Sequence, residues 1–234
     1  MRPLETFIEQ RKERFVRNSL MSDEFLDFVN KNMKPIEKQM SYYQCAIMEV
    51  ETKFKVLNEQ YSLEYDRNPI EDIKSRVKSM ESLIKKIRKK DIPLTLSSIE
   101  ENIHDIAGVR VICSFPDDIY MLADCLLSQD DITLLEKKDY IKNPKPNGYR
   151  SYHLIIRVPV FFMNKKQMVP VEIQIRTMAM DLWASLEHDI SYKAINSKGE
   201  YQGDYSEFRE ELTECSRLIY EAEEKMERMN SMLE

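Results

Sequence analysis

The feature that most constrains the fold of this chain is a long series of apolar residues spaced alternately by three and four. The series runs over residues 33–61, and Pro35 lies near its start. This spacing predicts one long amphipathic helix, because residues three and four apart share a helix face and proline fits a first turn. Residues 212–233 repeat the spacing and predict a second helix. Each apolar face packs against the rest of the chain or, as the alternative, also against another copy in a homo-oligomer.

The segment between these two helices alternates between helical and strand patterns. Helices are predicted over residues 69–90, 117–128 and 177–193. Strands are predicted over residues 106–115, 132–141, 150–162 and 168–176. Helices and strands in this order indicate an α+β fold, with a mixed β-sheet of about five strands, flanking helices, and long N- and C-terminal helices.

The composition is that of a helix-rich protein whose core fits in one domain. The 234 residues include only four glycines, and 32% of them are charged against 42% hydrophobic. The sequence contains no apolar stretch of signal-peptide or membrane-span length, so we predict a cytoplasmic protein without a membrane partner. Its four cysteines include no C-x-x-C pair, so neither a disulfide framework nor a zinc site follows from their spacing.

The distribution of charge suggests a small anionic ligand. The net charge of −6 argues against a general nucleic-acid binder, which depends on an overall basic field. Two stretches are nevertheless basic: residues 74–90 contain eight Lys or Arg and one acidic residue, and residues 137–150 contain five and one. Basic stretches in an acidic protein favour a compact polyanion such as a nucleotide.

Polar side chains alternate with aliphatic ones over residues 171–176. Strand alternation places Glu172, Gln174 and Arg176 together on one face and three aliphatic residues on the other. A shared polar face is typical of a binding surface, and an ordinary solvent-exposed sheet face is the alternative.

Residues 147–153 combine a turn signal with side chains suited to a nucleotide. Asn-Gly predicts a tight turn, after which Tyr149, Ser151 and His153 project together from the following strand. An aromatic ring can stack on a base, while a hydroxyl and an imidazole can bond phosphate oxygens. The alternative is a hairpin turn in which Tyr149 is a packing residue.

A lysine-rich flank of the predicted helix over residues 69–90 is a candidate phosphate-binding surface. At about 100° per residue, one flank carries Lys78, Ser82, Lys85, Lys86 and Lys89. An ordinary solvated face is the alternative.

Two carboxylates are candidates for the divalent cation that phosphoryl-type transfer requires. Asp105 begins a predicted strand and Glu172 lies in a later one, and Mg²⁺ takes one or two carboxylates together with phosphates. His104 and Asp105 also form the dipeptide found in metal-dependent phosphohydrolases. Those enzymes need several more histidines, and this sequence has three in all, which disfavours hydrolysis.

Taken together, four segments resemble the synthetase domain of the RelA/SpoT family, and the resemblance covers residues 69–193. They read Asp-Ile-Ala-Gly-Val-Arg at 105–110, Asp-Tyr-Ile at 139–141, Asn-Gly-Tyr-Arg-Ser-Tyr-His at 147–153 and Val-Glu-Ile-Gln-Ile-Arg-Thr at 171–177. The short length, without a hydrolase or regulatory domain, resembles the small alarmone synthetases of the RelP and RelQ type, and RelP most closely.

The resemblance implies an ATP site of seven residues. Arg76 and Arg110 match the arginines that sandwich the adenine. Lys78, Lys86 and Lys89 match basic positions near the phosphates. His153 and Gln174 match positions that line the nucleotide site. Lys89 stands where arginine is frequent in the family, and the two are not equivalent phosphate ligands.

The resemblance also implies a catalytic metal site and an acceptor site. Asp105 matches the magnesium-binding aspartate, and Glu172 matches the glutamate that binds metal or activates the 3′-hydroxyl. Tyr149 matches the tyrosine that stacks on the acceptor guanine, while Lys138 and Lys145 match basic positions beside it. Mg²⁺ is the implied cofactor.

The family fold is a nucleotidyltransferase-like mixed sheet. We therefore predict an N-terminal helical extension over residues 1–65, a (p)ppGpp synthetase core over 66–195 and a C-terminal helix over 196–234. Small members form homotetramers through terminal helices, so a homotetramer is implied. Asp181 stands where a related synthetase has asparagine, so its role stays open. Residues 136–139 keep only part of the charge signature that tunes metal use in long family members.

The implied reaction transfers pyrophosphate from ATP to the 3′-hydroxyl of GDP or GTP and releases AMP, in the stringent stress response. GDP, GTP and GMP stay open as preferred acceptors, as does regulation by RNA. Two other functions are alternatives: a nucleotidyltransferase acting on another acceptor, and a non-catalytic nucleotide or RNA sensor using the same basic residues. The presence of both Asp105 and Glu172 favours the enzyme.

Overall fold

The structure, a computed structural model, describes residues 23–163, 165–194, 205–230 and 232. In chain order its elements are α1 (Asp23–Lys31), α2 (Met33–Tyr65), β1 (Ile70–Val77), α3 (Met80–Lys89), α4 (Leu96–Asn102), β2 (Ala107–Cys113), α5 (Pro116–Leu127), β3 (Thr133–Asp139), β4 (Tyr152–Phe162), β5 (Lys165–Thr177), α6 (Met178–Ala194) and α7 (Tyr205–Asn230). The predictions that concern residues 1–22, 195–204, 231, 233 and 234 lie outside the described residues. No helix in the described ranges has the length and apolar character needed to cross a bilayer.

The five strands form one mixed sheet in the order β1-β2-β5-β4-β3. Strands β2 and β5 run parallel, and the other three neighbouring pairs are antiparallel. The parallel pair forms the centre of the sheet, where β2 and β5 bury one aliphatic face. The predicted α+β fold with a five-stranded mixed sheet and flanking helices is confirmed.

Helix α2 covers one face of the sheet. It contacts β1, β2, β4, β5 and α5, and its residues Tyr43, Ala46, Val50 and Phe54 are fully buried. Burial of these side chains stabilises the fold by roughly 2 kcal/mol for each large apolar group. The predicted long amphipathic helix is therefore confirmed, and its apolar face packs on the core of its own chain.

The prediction of a single helix over residues 69–90 is wrong in its first half. Residues Ile70–Val77 form the edge strand β1, and only Met80–Lys89 are helical, with the Ser79 hydroxyl accepting a hydrogen bond from the Ser82 amide at the helix start. The pairing of β1 with β2 shifts register between Ile70 and Asp72. The half-buried residues Ile70, Ile73 and Val77 are spaced by three and then four, which imitates a helix face. The extra residue at the register shift explains the spacing of three, and the exposed Ser75 between Ile73 and Val77 explains the spacing of four.

Helix α7 is present as predicted, but only part of the predicted apolar seam is half-buried, at Leu212 and Ile219. Ala222, Met226 and Met229 of that seam are exposed, whereas Ser216 and Glu223 are buried. Helix α7 packs on α6 and against the segment before β4. That segment offers backbone carbonyls, so polar side chains of α7 take the inner positions.

The sheet face opposite α2 is polar and forms the floor of a cleft. On β5 the residues that face away from the core are half-buried, and the intervening aliphatic residues are fully buried. The alternation predicted for residues 171–176 is confirmed for Glu172 and Gln174. Arg176, however, is only 3% exposed, because α6 follows it and closes over that end of the strand.

Candidate active site

A row of polar side chains crosses all five strands on the open face of the sheet. Residues paired directly across neighbouring strands project to the same side. From β1 to β3, the row consists of Lys74, Arg110, Gln174, His153 and Lys138. Four of these five residues come from different segments of the predicted site, and the sheet register alone brings them into line.

A second row lies beside the first and contains a candidate catalytic residue. Arg76 on β1 pairs with Gly108 on β2, and Gly108 pairs with Glu172 on β5. Gly108 carries no side chain, so the floor between the arginine and the carboxylate stays open. The resulting cleft has a volume of about 220 Å³ and is lined by Lys74, Ser75, Arg76, Gly108, Val109, Arg110, Glu172 and Gln174.

Two lysines hold Asp105 immediately before β2. Its Oδ2 lies 3.1 Å from the Lys78 Nζ and 2.6 Å from the Lys86 Nζ. Burial raises the pKa of Asp105, but the hydrogen bonds and charges of Lys86 and Lys78 outweigh burial and leave the pKa below its ordinary value. The carboxylate is therefore ionised at neutral pH. Its other oxygen, Oδ1, is buried without a hydrogen-bond partner.

Glu172 is held by polar neighbours on its own strand and on β4. The Gln174 amide donates to its Oε2 at 3.2 Å, and the His153 Nδ1 lies 3.7 Å from its Oε1. Burial raises the pKa of Glu172, but His153 and Gln174 outweigh burial and lower the pKa overall. The charge of Asp105 opposes this lowering. The two carboxylates therefore lie within electrostatic reach of each other.

An aromatic cluster occupies the end of the cleft nearest β4. The half-buried Tyr149 hydroxyl lies 2.8 Å from the His153 Nε2, and the Arg176 Nη2 donates to the same hydroxyl. The Tyr140 ring lies edge-on to both rings. The Lys145 Nζ lies 4.7 Å from the ring centroids of both tyrosines. Tyr149 and Lys145 thus adjoin the polar rows.

Lys138 lies at the far edge of the same face. It pairs with His153 in the sheet register, and its Nζ lies 2.9 Å from the Glu136 Oε1. Both side chains of this ion pair are about half exposed. The hydrogen bond to Glu136 raises the pKa of Lys138, so the lysine is a cation at the open edge of the cleft.

The lysine flank predicted over residues 69–90 is divided in the structure. Lys78 precedes helix α3, yet it and Lys86 converge on Asp105. Lys85 instead pairs with Glu81 at 3.0 Å on the exposed surface, and Lys89 is exposed in the last turn of α3. Lys85 therefore matches the alternative prediction, an ordinary solvated face.

Ser151 does not project into the cleft with Tyr149 and His153 as predicted. The chain becomes a strand only at Tyr152, and Ser151 is fully buried. Its hydroxyl accepts a hydrogen bond from the Arg176 Nε at 3.2 Å. Ser151 therefore fixes a buried arginine and is removed from any direct contact with a ligand in the cleft.

The sequence interpretation missed the role of Asp181, which neutralises three cations. Its Oδ1 accepts hydrogen bonds from the Arg110 Nη1 at 3.0 Å and the Arg176 Nη1 at 3.2 Å, and its Oδ2 lies 3.4 Å from the Lys74 Nζ. Burial and the charge of Arg176 lower the pKa of Arg110, and Asp181 opposes that shift. A carboxylate in the first turn after a strand ending in arginine was the only available signal.

Comparison with known proteins identifies the family of this chain. A family model described as the region found in RelA / SpoT proteins matches residues 75–197. The chain belongs to the RelA/SpoT family. The GTP pyrophosphokinase YwaC of Bacillus subtilis (strain 168) is 43% identical over 201 residues, which are 86% of this chain and 93% of that protein. The GTP pyrophosphokinase YjbM of the same organism is 41% identical over 160 residues, 68% of this chain and 74% of that protein.

Solved structures support the same assignment. The small alarmone synthetase 1 from Bacillus subtilis bound to its product pppGpp superposes with a TM-score of 0.75 at 34% identity, covering 86% of this chain and 99% of that chain. The small alarmone synthetase 2 from Bacillus subtilis gives a TM-score of 0.73 at 42% identity, with coverage of 84% and 98%. Both the predicted family and the predicted synthetase fold are confirmed.

Proposed function

We propose that this RelA/SpoT protein is a synthetase that transfers pyrophosphate from ATP to the 3′-hydroxyl of GDP or GTP. The observation that carries the proposal is that Glu172 in the cleft and the lysine-held Asp105 lie within electrostatic reach of each other. His153 lies between Glu172 and the Tyr149 hydroxyl. Relatives that cover most of the chain are named GTP pyrophosphokinases, and a solved neighbour contains pppGpp as its product. The proposed role is in the stringent stress response.

The β1 side of the cleft is suited to ATP. Arg76 and Arg110 lie on adjacent strands with Gly108 between them, which leaves space for the adenine ring. Guanidinium groups stack on aromatic rings, so two arginines can enclose a purine. Lys78 and Lys86 beside Asp105 are positioned for the phosphates, with Lys89 one helical turn further along. His153 and Gln174 complete the proposed ATP site in the polar row.

The residues around Asp105 fit a magnesium ion. The buried Asp105 Oδ1 has no hydrogen-bond partner, and an orphaned carboxylate oxygen is costly unless a ligand satisfies it. Among the described residues no group of three or more metal-binding side chains forms a protein cage. Mg²⁺ in phosphoryl-transfer sites needs only one or two carboxylates, here Asp105 and Glu172, because phosphates supply other ligands. When bound, it neutralises phosphate charge during transfer.

The β4 side of the cleft is suited to the acceptor. Tyr149 presents an aromatic ring for a guanine, and Lys145 and Lys138 supply positive charge beside it. Lys145 contacts the faces of both tyrosine rings in the structure. A stacked base would compete with the Lys145 ammonium for the Tyr149 ring, and the released lysine could then pair with an acceptor phosphate.

In the proposed reaction, the acceptor 3′-oxygen forms a bond to the β-phosphorus of ATP. The bond from that phosphorus to the oxygen bridging the α- and β-phosphates breaks, and AMP leaves with that oxygen. The proton of the 3′-hydroxyl is released to water. Lys78 and Lys86 hold the phosphates, and Glu172 orients the hydroxyl. His153 and Gln174 lower the pKa of Glu172, so its carboxylate is ionised and can accept a hydrogen bond from the 3′-hydroxyl.

Identification of the products tests this function. Purified protein incubated with ATP labelled at the β- and γ-phosphates, GDP or GTP, and Mg²⁺ is expected to transfer both labels to the guanine nucleotide and release AMP. A nucleotidyltransferase would release pyrophosphate, and a non-catalytic sensor would leave ATP intact. RNA binding that falls steeply with salt, without ATP turnover, would support the sensor.

Replacing Asp181 with asparagine is expected to weaken ATP binding. The substitution removes the charge that holds Arg110 between Lys74 and Arg176, so the three cations repel one another. We expect the KM for ATP to rise about tenfold, corresponding to roughly 1.4 kcal/mol. Steady-state kinetics with Asp189→Asn as the matched control, an exposed carboxylate on the same helix, would measure it. An unchanged KM for ATP in Asp181→Asn would contradict the proposed role.

We also propose that the chain assembles as a homotetramer through its terminal helices. Helix α6 exposes an apolar stripe at intervals of four residues, and α7 exposes further apolar side chains. These residues are Met178, Leu182, Leu186 and Ile190 on α6 and Leu218, Met226 and Met229 on α7. Light scattering of the purified protein would give the mass.

The cytoplasm is the proposed location, because ATP and GTP are available there. The domain boundaries at residues 65 and 195 remain predictions.

A further inference from the structure

Helix α7 lies outside the matched family region, yet it contacts the turn that carries Tyr149. The Ser216 hydroxyl donates a hydrogen bond to the Gly148 carbonyl at 2.6 Å. Ser216 is only 7% exposed, although it is not part of the apolar seam predicted for this helix. A buried serine in this position is explained by the carbonyl it satisfies, since an unpaired buried carbonyl is costly.

Helix α7 lies directly against the backbone of the turn at Gly148. Gly148 has φ +86°, and a Cβ at this position would lie 2.5 Å from the Ser216 Cβ. The turn is closed by the Gly148 amide, which donates to the Lys145 carbonyl at 2.8 Å, and by the Asn147 side chain, which accepts from the Tyr149 amide. Glycine is thus required both by the positive φ and by the helix directly against it.

A second contact lies on the other side of Tyr149. The Arg150 guanidinium carbon lies 3.5 Å from the centre of the Tyr220 ring on α7. Helix α7 is in turn attached to α6, because the Trp183 Nε1 donates to the Leu212 carbonyl at 3.1 Å. The residues before and after Tyr149 are therefore both held by α7, one turn of helix apart.

We propose that α7 is a structural part of the acceptor site and that Ser216 is a positioning residue, which sets the Tyr149 ring through Gly148. This inference rests on the proposed synthetase function. Tyr149 directly follows Gly148, and its hydroxyl contacts His153, which lies beside Glu172. A displaced turn therefore moves the surface on which the acceptor base stacks and the polar group that adjoins the candidate catalytic carboxylate.

The sheet order makes the effect larger for the acceptor than for ATP. The turn precedes β4, whereas Arg76 lies on β1 and Lys86 on α3, and β1 is separated from β4 by β2 and β5. A change at Ser216 should therefore act mainly on the acceptor. It can reach the ATP site only through the contact between Tyr149 and His153, so the effect on ATP binding should be much smaller. A merely structural role of Ser216 would instead lower stability or change the kinetics for both substrates together.

Ser216→Ala tests the inference, because it removes the hydroxyl without adding volume and alanine is a good helix former. We expect the KM for GDP to rise about tenfold. A tenfold change corresponds to roughly 1.4 kcal/mol, which is the size expected for the loss of one hydrogen bond. The KM for ATP should stay within about twofold, because β2 and β5 separate β1 from the turn before β4. Cys215→Ala is the matched control, since Cys215 is the exposed neighbour on the same helix. It should change neither constant.

Ser216→Leu provides a second variant, because its larger side chain pushes against Gly148. It should reduce kcat/KM for GDP by at least about 100-fold, with helix content preserved by circular dichroism. Unchanged acceptor constants in both Ser216 variants, or equal rises in both KM values, would overturn the positioning role. A wild-type protein that forms no ppGpp would instead overturn the proposed function, so the two failures are distinguishable.

Discussion

Replacing Glu172 with glutamine is expected to reduce ppGpp synthesis by about 10³-fold while leaving the fold intact. Glutamine has nearly the same shape and can still accept the hydrogen bond from Gln174, so the sheet is preserved. The substitution removes the negative charge that His153 faces and that the acceptor hydroxyl requires. The turnover number with saturating ATP and GDP should fall, because the missing interaction belongs to the transition state.

The control for this experiment is Asp72→Asn. Asp72 lies on β1, on the same sheet face, pairs with Lys74 at 3.6 Å and is about half exposed. The variant therefore removes one negative charge from the same face at a position with no proposed catalytic role. Its turnover should stay within about threefold of wild type. An active Glu172→Gln enzyme, with normal turnover, would remove Glu172 from the mechanism.

Replacing Asp105 with asparagine is expected to lower turnover by at least about 100-fold without weakening ATP binding. The carboxylate neutralises Lys78 and Lys86 in the structure, and asparagine is a poor ligand for a hard cation. The two freed lysines remain available to the ATP phosphates. The dissociation constant for ATP without metal should therefore be unchanged or smaller, although catalysis is lost.

Two measurements separate these effects. Calorimetric titration with ATP reports binding, and activity measured against Mg²⁺ concentration should show a higher metal requirement in Asp105→Asn. Asp91→Asn is the matched control, because Asp91 adjoins the end of helix α3 and has φ 52°, a conformation that asparagine tolerates. Loss of ATP binding together with turnover in Asp105→Asn would indicate a structural role for Asp105 and contradict the proposed metal site.

The parts of the fold that sequence periodicity predicted are those with a single buried face. The apolar spacing of α2 matches one helix face, which packs on the sheet, and the alternation at Glu172 and Gln174 matches the two faces of β5. Residues 69–77 were predicted to be helical because Ile73 and Val77 are four residues apart with the polar Ser75 between them. A register shift between Ile70 and Asp72 also interrupts the strand alternation. A bulge depends on pairing with β2, so the local pattern contained no sign of it.

The candidate site shows a similar division. Asp105, Glu172, Tyr149, Lys78 and Lys86 were predicted from the sequence. In the structure both lysines contact Asp105, and His153 lies between Glu172 and the Tyr149 hydroxyl. Asp181 was left without a role because it neutralises cations that precede it by 5 to 107 residues. Ser216 was not singled out, because a serine in an amphipathic helix has no local feature that indicates a distant carbonyl as its partner.

The sequence by itself determined the α+β class, the long terminal helices, the family and the chemical types of side chain in the cleft. Helical and strand periods, motif order and charge are local properties, so they can be read without coordinates. Only the tertiary structure decided that Lys74, Arg110, Gln174, His153 and Lys138 form one row and that α7 holds the Tyr149 turn. Strand register and helix docking result from contacts between distant segments, and those contacts exist only once the chain has folded.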